Sequence, residues 1–291
     1  MEELKLQTPV QTGVSLVEVS LESQAITLGS CFADSIGRKM EELGFNILVN
    51  PFGTLYNPVS ICNSVARLAS GIPFASKDCV MMGAGAGLVC SFSHHTTFAR
   101  KTEEEFLSVA NSSLEKASEF WNSASKVIIT LGTAWCFEHI ATGEIVSNCL
   151  KRDSKEFNRR RLSVAEVSNL LKNMVHRFPE KEFIFSVSPI RHLKDGAHGN
   201  QLSKSTLLLA IDDIIKAFPE RTEYFPAYEI FMDELRDYRF YAPDMTHPSE
   251  QATDYIWSRF VDWAVPAKDI PELERRIKAL AASRHRPINP R

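Results

Sequence analysis

Short apolar runs alternate along the chain with segments in which apolar residues recur every three or four positions. The apolar runs predict strands at residues 25–28, 45–49, 126–132 and 182–189, a short strand within 83–92 and a last one within 221–229. The amphipathic segments predict helices at residues 32–44, 58–68, 102–121, 163–178, 203–218 and 249–265, and one more in the tail from residue 266.

This order of elements predicts an α/β domain with a parallel sheet and helices on both faces. In such sheets ligands bind beyond the carboxyl ends of the strands, so we expect the chemistry in the loops at residues 29–31, 132–135 and 188–192. No repeat or Gly-, Ser- or Pro-rich linker divides the chain. We predict one domain over residues 1–265, then a C-terminal helix and tail at 266–291.

Two local features carry further expectations. Thr102 followed by Glu105 predicts a capping box at the start of a helix. Residues 151–162 are dense in charge and are expected to be a solvated segment, and the basic end of the chain is expected to fray.

Composition and charge exclude several classes of protein. The 291 residues are 44% hydrophobic and 24% charged, which is typical of a globular protein. The net charge of -3 and the lack of a Lys/Arg block give no reason to expect nucleic acid. No apolar run is long enough to cross a membrane, and the acidic N-terminus lacks a signal-peptide core, so we expect a cytoplasmic protein.

The six cysteines form no CxxC pair, which argues against a zinc or dithiol site. His94 and His95 are adjacent, and no other ligands are spaced to complete a metal site with them. The glycines at 83–87 do not lead from a strand into a helix as a dinucleotide site requires. We therefore predict neither a metal nor a cofactor.

Asp244 and His247 lie three residues apart in a loop directly before a predicted helix. On a tight turn the carboxylate can reach one ring nitrogen of the histidine, which leaves the other nitrogen to face a nucleophile. The alternative is that Asp244 only hydrogen-bonds the turn and His247 packs under Pro248.

At the other end of the chain, "GSCFA" (29–33) places Ser30 and Cys31 where the first strand turns into a helix. Together with "DMTHPS" (244–249), this block order resembles the SGNH (GDSL-type) hydrolase superfamily. More closely, the string "GSCFA" resembles the signature for which the GSCFA family is named. The resemblance implies a three-layer α/β sandwich with a flavodoxin-like parallel sheet.

Aligned without a gap, the resemblance puts Cys31 in the nucleophile's place, with His247 as base and Asp244 as its orienter. A shift by one residue would make Ser30 the nucleophile instead. A cysteine at a helix N-terminus beside a histidine is expected to have a lowered pKa. The alternatives are a buried structural thiol at Cys31 and a helix N-cap at Ser30.

The oxyanion hole is less complete in this comparison. "LGTAW" keeps Gly132 but has Ala134 where the superfamily has an asparagine. Gly53 is the candidate for the glycine N–H donor, and Asn57 or Asn148 could supply an amide. Backbone N–H groups at the start of the Cys31 helix could also contribute.

Further residues are candidates for binding the substrate: Trp135, Asn148, Arg191, His192 and His95. His94 and His95 are expected on opposite faces of a strand, so at most one would face the site. The resemblance implies an esterase or acyltransferase acting on a small-molecule or carbohydrate ester, such as an O-acylated sugar. The alternatives are a ligand-binding protein on a degraded hydrolase scaffold and a redox-sensing thiol.

Overall fold

The computed structural model describes residues 7–284. Its centre is a parallel sheet of five strands, β1 (Ala25–Gly29), β2 (Ile47–Val49), β5 (Lys126–Leu131), β9 (Glu182–Val187) and β10 (Thr222–Phe225). Their order in the sheet is β10-β9-β5-β1-β2. Each neighbouring pair is parallel, which is the flavodoxin-like arrangement that we predicted.

Helices cover both faces of this sheet, because successive side chains of each strand point to opposite faces. One face packs against α2 (Pro58–Ser70), α3 (Glu103–Ser123), α4 (Val164–Arg177) and α5 (Gly196–Ala217). The other packs against α1 (Cys31–Glu42), α7 (Glu250–Ala264) and α8 (Ile270–Arg284). In β1, for example, Ile26 and Leu28 belong to the first core and Ala25 to the second. The three-layer α/β prediction is confirmed.

The tail helix α8 packs on the second core through Leu273, which is 1% exposed. Its Arg276 donates to the carbonyl oxygens of Leu43 and Gly44 at the end of α1. The frayed basic end that we predicted lies largely outside the described residues.

Smaller elements complete the fold. Strands β3 (Val80–Met81) and β4 (Val89–Cys90) form an antiparallel pair, and a short helix α6 (Ala227–Glu229) continues into a π turn at Ile230–Glu234. A second antiparallel sheet consists of β6 (Trp135–His139), β7 (Glu144–Val146) and β8 (Phe157–Arg161). No helix of residues 7–284 is long and apolar enough to cross a membrane.

The segment at residues 151–162 is exposed in part, as we expected, but Phe157–Arg161 form strand β8. Two of its three arginines form ion pairs: Arg159 binds Asp195, and Arg160 binds Glu138 on β6 and Glu166 on α4. Neighbouring elements therefore neutralise much of the charge of this strand.

Of the two hydrogen bonds that make up the predicted capping box at Thr102, one is present. The Thr102 hydroxyl accepts from the Glu105 N–H, but the Glu105 carboxylate accepts from the N–H of Lys101, one residue before the cap. Helix α5 also begins at Gly196, seven residues before the predicted start. Its first turns carry glycine and polar residues, which conceal the helical pattern.

Gly29 ends β1 at a very close approach to β5. It has φ 144°, and a Cβ there would lie 2.2 Å from the Thr130 carbonyl oxygen. The Gly29 N–H donates to Asn50 Oδ1 at 2.9 Å, and its carbonyl accepts from the Leu55 N–H at 2.8 Å. Glycine is therefore required at the junction between β1 and α1.

We predict that Gly29→Ala lowers the free energy of unfolding by at least about 3 kcal/mol, because backbone must move to admit the methyl group. Gly143→Ala is the matched control: Gly143 has φ 68° with no atom within 4 Å of an added Cβ. It should cost only about 1 kcal/mol. Urea unfolding measures both, and equal losses would contradict the argument.

Candidate active site

The loop before α7 holds Asp244 and His247 in one compact turn. Asp244 Oδ1 accepts from the backbone N–H groups of Thr246 and His247, both at 2.9 Å, while Met245 has φ 57°. The other oxygen, Oδ2, lies 2.6 Å from His247 Nδ1. One carboxylate thus binds both the turn and the imidazole, so Asp244 does more than hydrogen-bond the turn.

Cys31 begins α1 directly opposite this loop. Its Sγ lies 3.5 Å from His247 Nε2, across 216 residues of sequence. The Asp244 carboxylate, the His247 ring and the Cys31 thiol therefore form one line of contacts at the carboxyl edge of the sheet. This is the geometry of a nucleophile, a base and its orienting group.

Ser30 does not join this line. Its side chain is fully buried, and its hydroxyl has no hydrogen-bond partner among the described residues. Ser30 occupies the N-cap position of α1, yet its hydroxyl does not cap the helix. The structure thus brings Cys31, and not Ser30, to His247.

Burial raises the pKa of the Cys31 thiol above its ordinary value. Hydrogen bonds from the backbone N–H groups of Cys31 and Phe32 and from the Tyr56 hydroxyl act in the opposite direction, but they are the smaller effects. Our expectation of a lowered pKa is therefore wrong, because Cys31 is partly buried. The group at neutral pH is a neutral thiol.

The Asp244 carboxylate stays ionised. Hydrogen bonds from the backbone N–H groups of His247 and Thr246, and then from the His247 ring, hold its pKa far below the usual range. An ionised carboxylate at Nδ1 favours the tautomer that leaves Nε2 free to accept a proton from Cys31.

Cys31 and His247 open into a cleft of about 420 Å³. Of the predicted residues, Asn57, Trp135, Arg191 and His192 line it with them. Trp135 Nε1 donates to the Gly199 carbonyl at 3.1 Å, so the indole forms a fixed wall. The cleft lies between the carboxyl edge of the main sheet and the small sheet β7-β6-β8, which the sequence did not predict.

Three predicted oxyanion donors are already occupied. The Gly53 N–H donates to the Asn50 carbonyl at 2.7 Å, and the Gly132 N–H to the Tyr56 carbonyl at 2.9 Å. Asn57 caps α2: Oδ1 accepts from the Ser60 N–H and Nδ2 donates to the Ser60 hydroxyl. Gly53 serves a tight turn instead, with φ 79° and His95 packed against it.

Ala134 is fully buried, and its N–H donates to the Ser203 hydroxyl at 2.7 Å. The position where the superfamily has its asparagine therefore faces the core here, and the cleft lining does not include it.

Two other predicted residues lie away from the cleft. Asn148 Oδ1 accepts from the Leu150 N–H at 2.8 Å and stabilises a turn. His95 caps a 3₁₀ turn, with Nδ1 accepting from the Thr97 N–H. The neighbouring His94 is buried among phenylalanines and contacts the Ser91 hydroxyl, so neither histidine lies in the cleft. They follow β4 in a turn rather than on a strand, so the expected alternation does not apply.

Tyr56 was not predicted from the sequence, and it lines the cleft together with Cys31. Its hydroxyl lies 3.4 Å from the Thr54 hydroxyl, and its interaction with Cys31 lowers the pKa of that thiol. Burial raises the pKa of Tyr56, so it remains a protonated donor. Its place in "NPFGTLYNP", three residues after the glycine that we selected, was the available signal.

Lys204 was also missed. It is fully buried in α5, and its Nζ donates to the carbonyl oxygens of Gly132 and Ser188, both at 2.7 Å. Burial, and then the charge of Arg191, lower its pKa to about 7. Lys204 joins the carboxyl ends of β5 and β9 beneath the cleft. Among residues 7–284, no group of three or more His, Cys, Asp or Glu side chains could hold a metal ion.

The sequence model of the GSCFA family matches residues 24–260, most of the chain. The chain belongs to the GSCFA family. The matched range includes Cys31, Asp244 and His247.

No curated protein matches this GSCFA chain. One similar solved structure is provisionally described as a platelet activating factor from Streptococcus pneumonia. It is 11% identical, with 83% of each chain covered and a TM-score of 0.39.

We predict that alkylation of Cys31 by iodoacetamide is slow at neutral pH and still accelerates above pH 9, because the raised pKa keeps the thiol protonated below that range. Tyr56→Phe removes a hydrogen bond that lowers this pKa, so it should slow alkylation further at a given pH. Peptide mapping at several pH values measures both. A rate that levels off near pH 7 would contradict the burial argument.

Proposed function

We propose that this protein is an SGNH-like esterase or acyltransferase that uses Cys31 as its nucleophile. The observation that carries the proposal is the line from Asp244 Oδ2 to His247 Nδ1 at 2.6 Å and from His247 Nε2 to Cys31 Sγ at 3.5 Å. A structural thiol needs no imidazole nitrogen at its sulfur, and a structural histidine needs no carboxylate to fix its tautomer.

In the proposed first step, His247 Nε2 takes the Cys31 proton while Sγ attacks the ester carbonyl carbon. The carbonyl π electrons move to oxygen and give a tetrahedral oxyanion. Collapse of this intermediate breaks the ester C–O bond, and the alkoxide leaves with the proton from His247. Cys31 now carries the acyl group as a thioester.

In the second step, His247 removes a proton from water or from an acceptor hydroxyl, whose oxygen attacks the thioester carbonyl. The second intermediate expels the Cys31 thiolate, which recovers its proton from His247. Water gives hydrolysis and a hydroxyl gives acyl transfer, so both reactions use the same residues. Asp244 remains ionised throughout and stabilises the imidazolium that forms in each step.

The oxyanion donors in this proposal are the Tyr56 hydroxyl and the backbone N–H groups that begin α1. The first intrahelical bond of α1 runs from the Asp34 N–H to the Ser30 carbonyl, so the N–H groups of Cys31 and Phe32 have no intrahelical acceptor. Both N–H groups and Tyr56 lower the pKa of the Cys31 thiol, so they favour negative charge at its sulfur. The oxyanion would form next to that sulfur, where the helix dipole also favours negative charge.

An O-acylated carbohydrate or other small acyl ester is the substrate class that we propose. The His247 and Asp244 side chains are 45% and 51% exposed, so the site opens towards solvent and leaves room for a second substrate.

Two observations favour a second candidate, a non-catalytic binding protein on a degraded scaffold. Ala134 leaves the position of the superfamily's asparagine inside the core, and the raised Cys31 pKa disfavours a resting thiolate. In that case the cleft would bind a ligand without turnover. A screen of aryl esters and thioesters, combined with thermal shift measurements, separates the two candidates.

We predict that Cys31→Ala and His247→Ala each lower kcat/KM for a 4-nitrophenyl ester at least about 10³-fold, because each removes a group that acts in the transition state. Ser30→Ala is the matched control and should keep turnover near the wild-type value, since its hydroxyl touches no part of the site. Loss of turnover in Ser30→Ala with retention in Cys31→Ala would reverse the assignment of the nucleophile.

We predict that Tyr56→Phe lowers kcat about 10²-fold with little change in KM, because a donor to the oxyanion acts on the transition state and not on the bound ester. Steady-state kinetics measure both constants. An unchanged kcat would show that backbone N–H groups alone hold the oxyanion.

A further inference from the structure

The cleft beside Cys31 carries an excess of positive charge. Its lining includes three cationic side chains, Arg159, Arg191 and Lys194, and neither Asp nor Glu; His192 and His247 line it as well. The protein as a whole has a net charge of -3, so this concentration is local.

Three carboxylates near the cleft each bind another side chain: Asp195, Asp244 and Asp34. Asp195 binds the Arg159 guanidinium with both oxygens, with Oδ1 at 2.6 Å from Nε. Asp244 binds the His247 ring, and Asp34 binds the exposed Arg38. Arg159 is thereby neutralised, and none of these carboxylates is left to balance the remaining cations.

Arg191 is the first of these remaining cations. Among the described residues no ion pair includes Arg191, and the recorded partner of its guanidinium is Met232 Sδ, 3.0 Å from Nη2. A thioether is a weak acceptor and a guanidinium has five N–H donors, so most of its donor capacity is unused. The Arg191 N–H donates to the Thr246 carbonyl at 3.3 Å, which fixes this residue next to His247.

Lys194 is the second of the remaining cations. It too has no ion pair within residues 7–284, and its Nζ lies 4.6 Å from the centre of the Phe137 ring. The Arg159 guanidinium lies 4.5 Å from the same ring. Lys194 is exposed, and its flexible ammonium group contributes positive charge beside Phe137 without a fixed hydrogen-bond geometry.

His192 adds an observation that is independent of the cations. Its Nε2 is buried and has no hydrogen-bond partner among the described residues, although the side chain lines the cleft. Burial, and then the charges of Lys204, His247 and Arg159, lower its pKa to about 4, so the ring is neutral at neutral pH. A buried polar atom without a partner costs free energy that a ligand's polar group would recover.

We infer that the substrate carries an anionic group, a carboxylate or a phosphate, which Arg191 binds through its guanidinium and Lys194 attracts from its position beside Phe137. Planar guanidinium donors match both kinds of anion, and a partly buried cation without a counter-ion gains most from one. The inference rests on the proposed function for its reaction, but its binding step can be tested without turnover.

The kinetic test compares kcat/KM for matched anionic and neutral esters. One pair differs in the acyl part, 4-nitrophenyl hydrogen adipate and 4-nitrophenyl hexanoate. The other differs in the alcohol part, 4-acetoxybenzoate and 4-acetoxytoluene, and 4-acetoxyphenyl phosphate extends it to phosphate. Ratios between protein variants cancel the intrinsic reactivity of each ester.

We expect at least one anionic ester to be preferred by about tenfold or more in the wild type. That preference should fall at least about tenfold in Arg191→Met and severalfold in the more exposed Lys194→Met. Arg275→Met and Lys216→Met, which remove the same charges from α8 and α5, are the controls and should leave it unchanged. The absence of any anionic preference in the wild type, or a preference that survives both cleft variants, would overturn the inference.

A binding measurement tests the inference even if the protein turns over no ester. Calorimetric titration with 4-acetamidobenzoate, adipate and inorganic phosphate, with neutral 4-acetamidotoluene as the reference, should show anion binding that weakens at least about tenfold in Arg191→Met. No turnover together with this binding would defeat the proposed function and support the inference. Turnover of neutral esters with no binding of any anionic probe would do the reverse.

Discussion

The close approach of Gly29 to the Thr130 carbonyl is the contact on which the site depends. Because residue 29 has no side chain, β1 ends against β5, and the Ser30 N–H donates to the same carbonyl at 3.2 Å. Helix α1 therefore begins at the carboxyl edge of the sheet with Cys31 as its first residue. The Gly29 peptide groups also anchor the loop that carries Tyr56, through bonds to Asn50 and Leu55. Gly29 thus positions both the Cys31 thiol and the loop that carries the Tyr56 hydroxyl.

The sequence predicted the central sheet because its strands are buried on both faces and read as continuous apolar runs. It did not predict the small sheet that forms the outer wall of the cleft. Strand β8 has the charged sequence "FNRRR", and Asp195, Glu138 and Glu166 pair two of its three arginines. Such pairing depends on elements that are distant along the chain, so local patterns cannot reveal it.

The candidate site, like the fold, was predicted only in part from the sequence. Two short motifs predicted Cys31 and the pair of Asp244 and His247, because a short turn fixes the position of these residues in each motif. The structure brings the two motifs into contact. The sequence argument failed for Gly53, Asn57 and Gly132, because their N–H groups stabilise the loops that carry them. Lys204 could not have been predicted, since a lysine in an amphipathic helix normally faces solvent. Its burial is explained by the two carbonyl groups that it joins.

A covalent acyl group on Cys31 is the central claim, and its mass is the most direct test. The protein is incubated briefly with 4-nitrophenyl acetate, quenched in acid and analysed by intact-mass spectrometry and peptide mapping. The account predicts one acetyl group on the peptide containing Cys31, released by neutral hydroxylamine as a thioester is, and absent from His247→Ala. An acetyl group on Ser30, or acetylation of Cys31 that proceeds equally fast without His247, would contradict it.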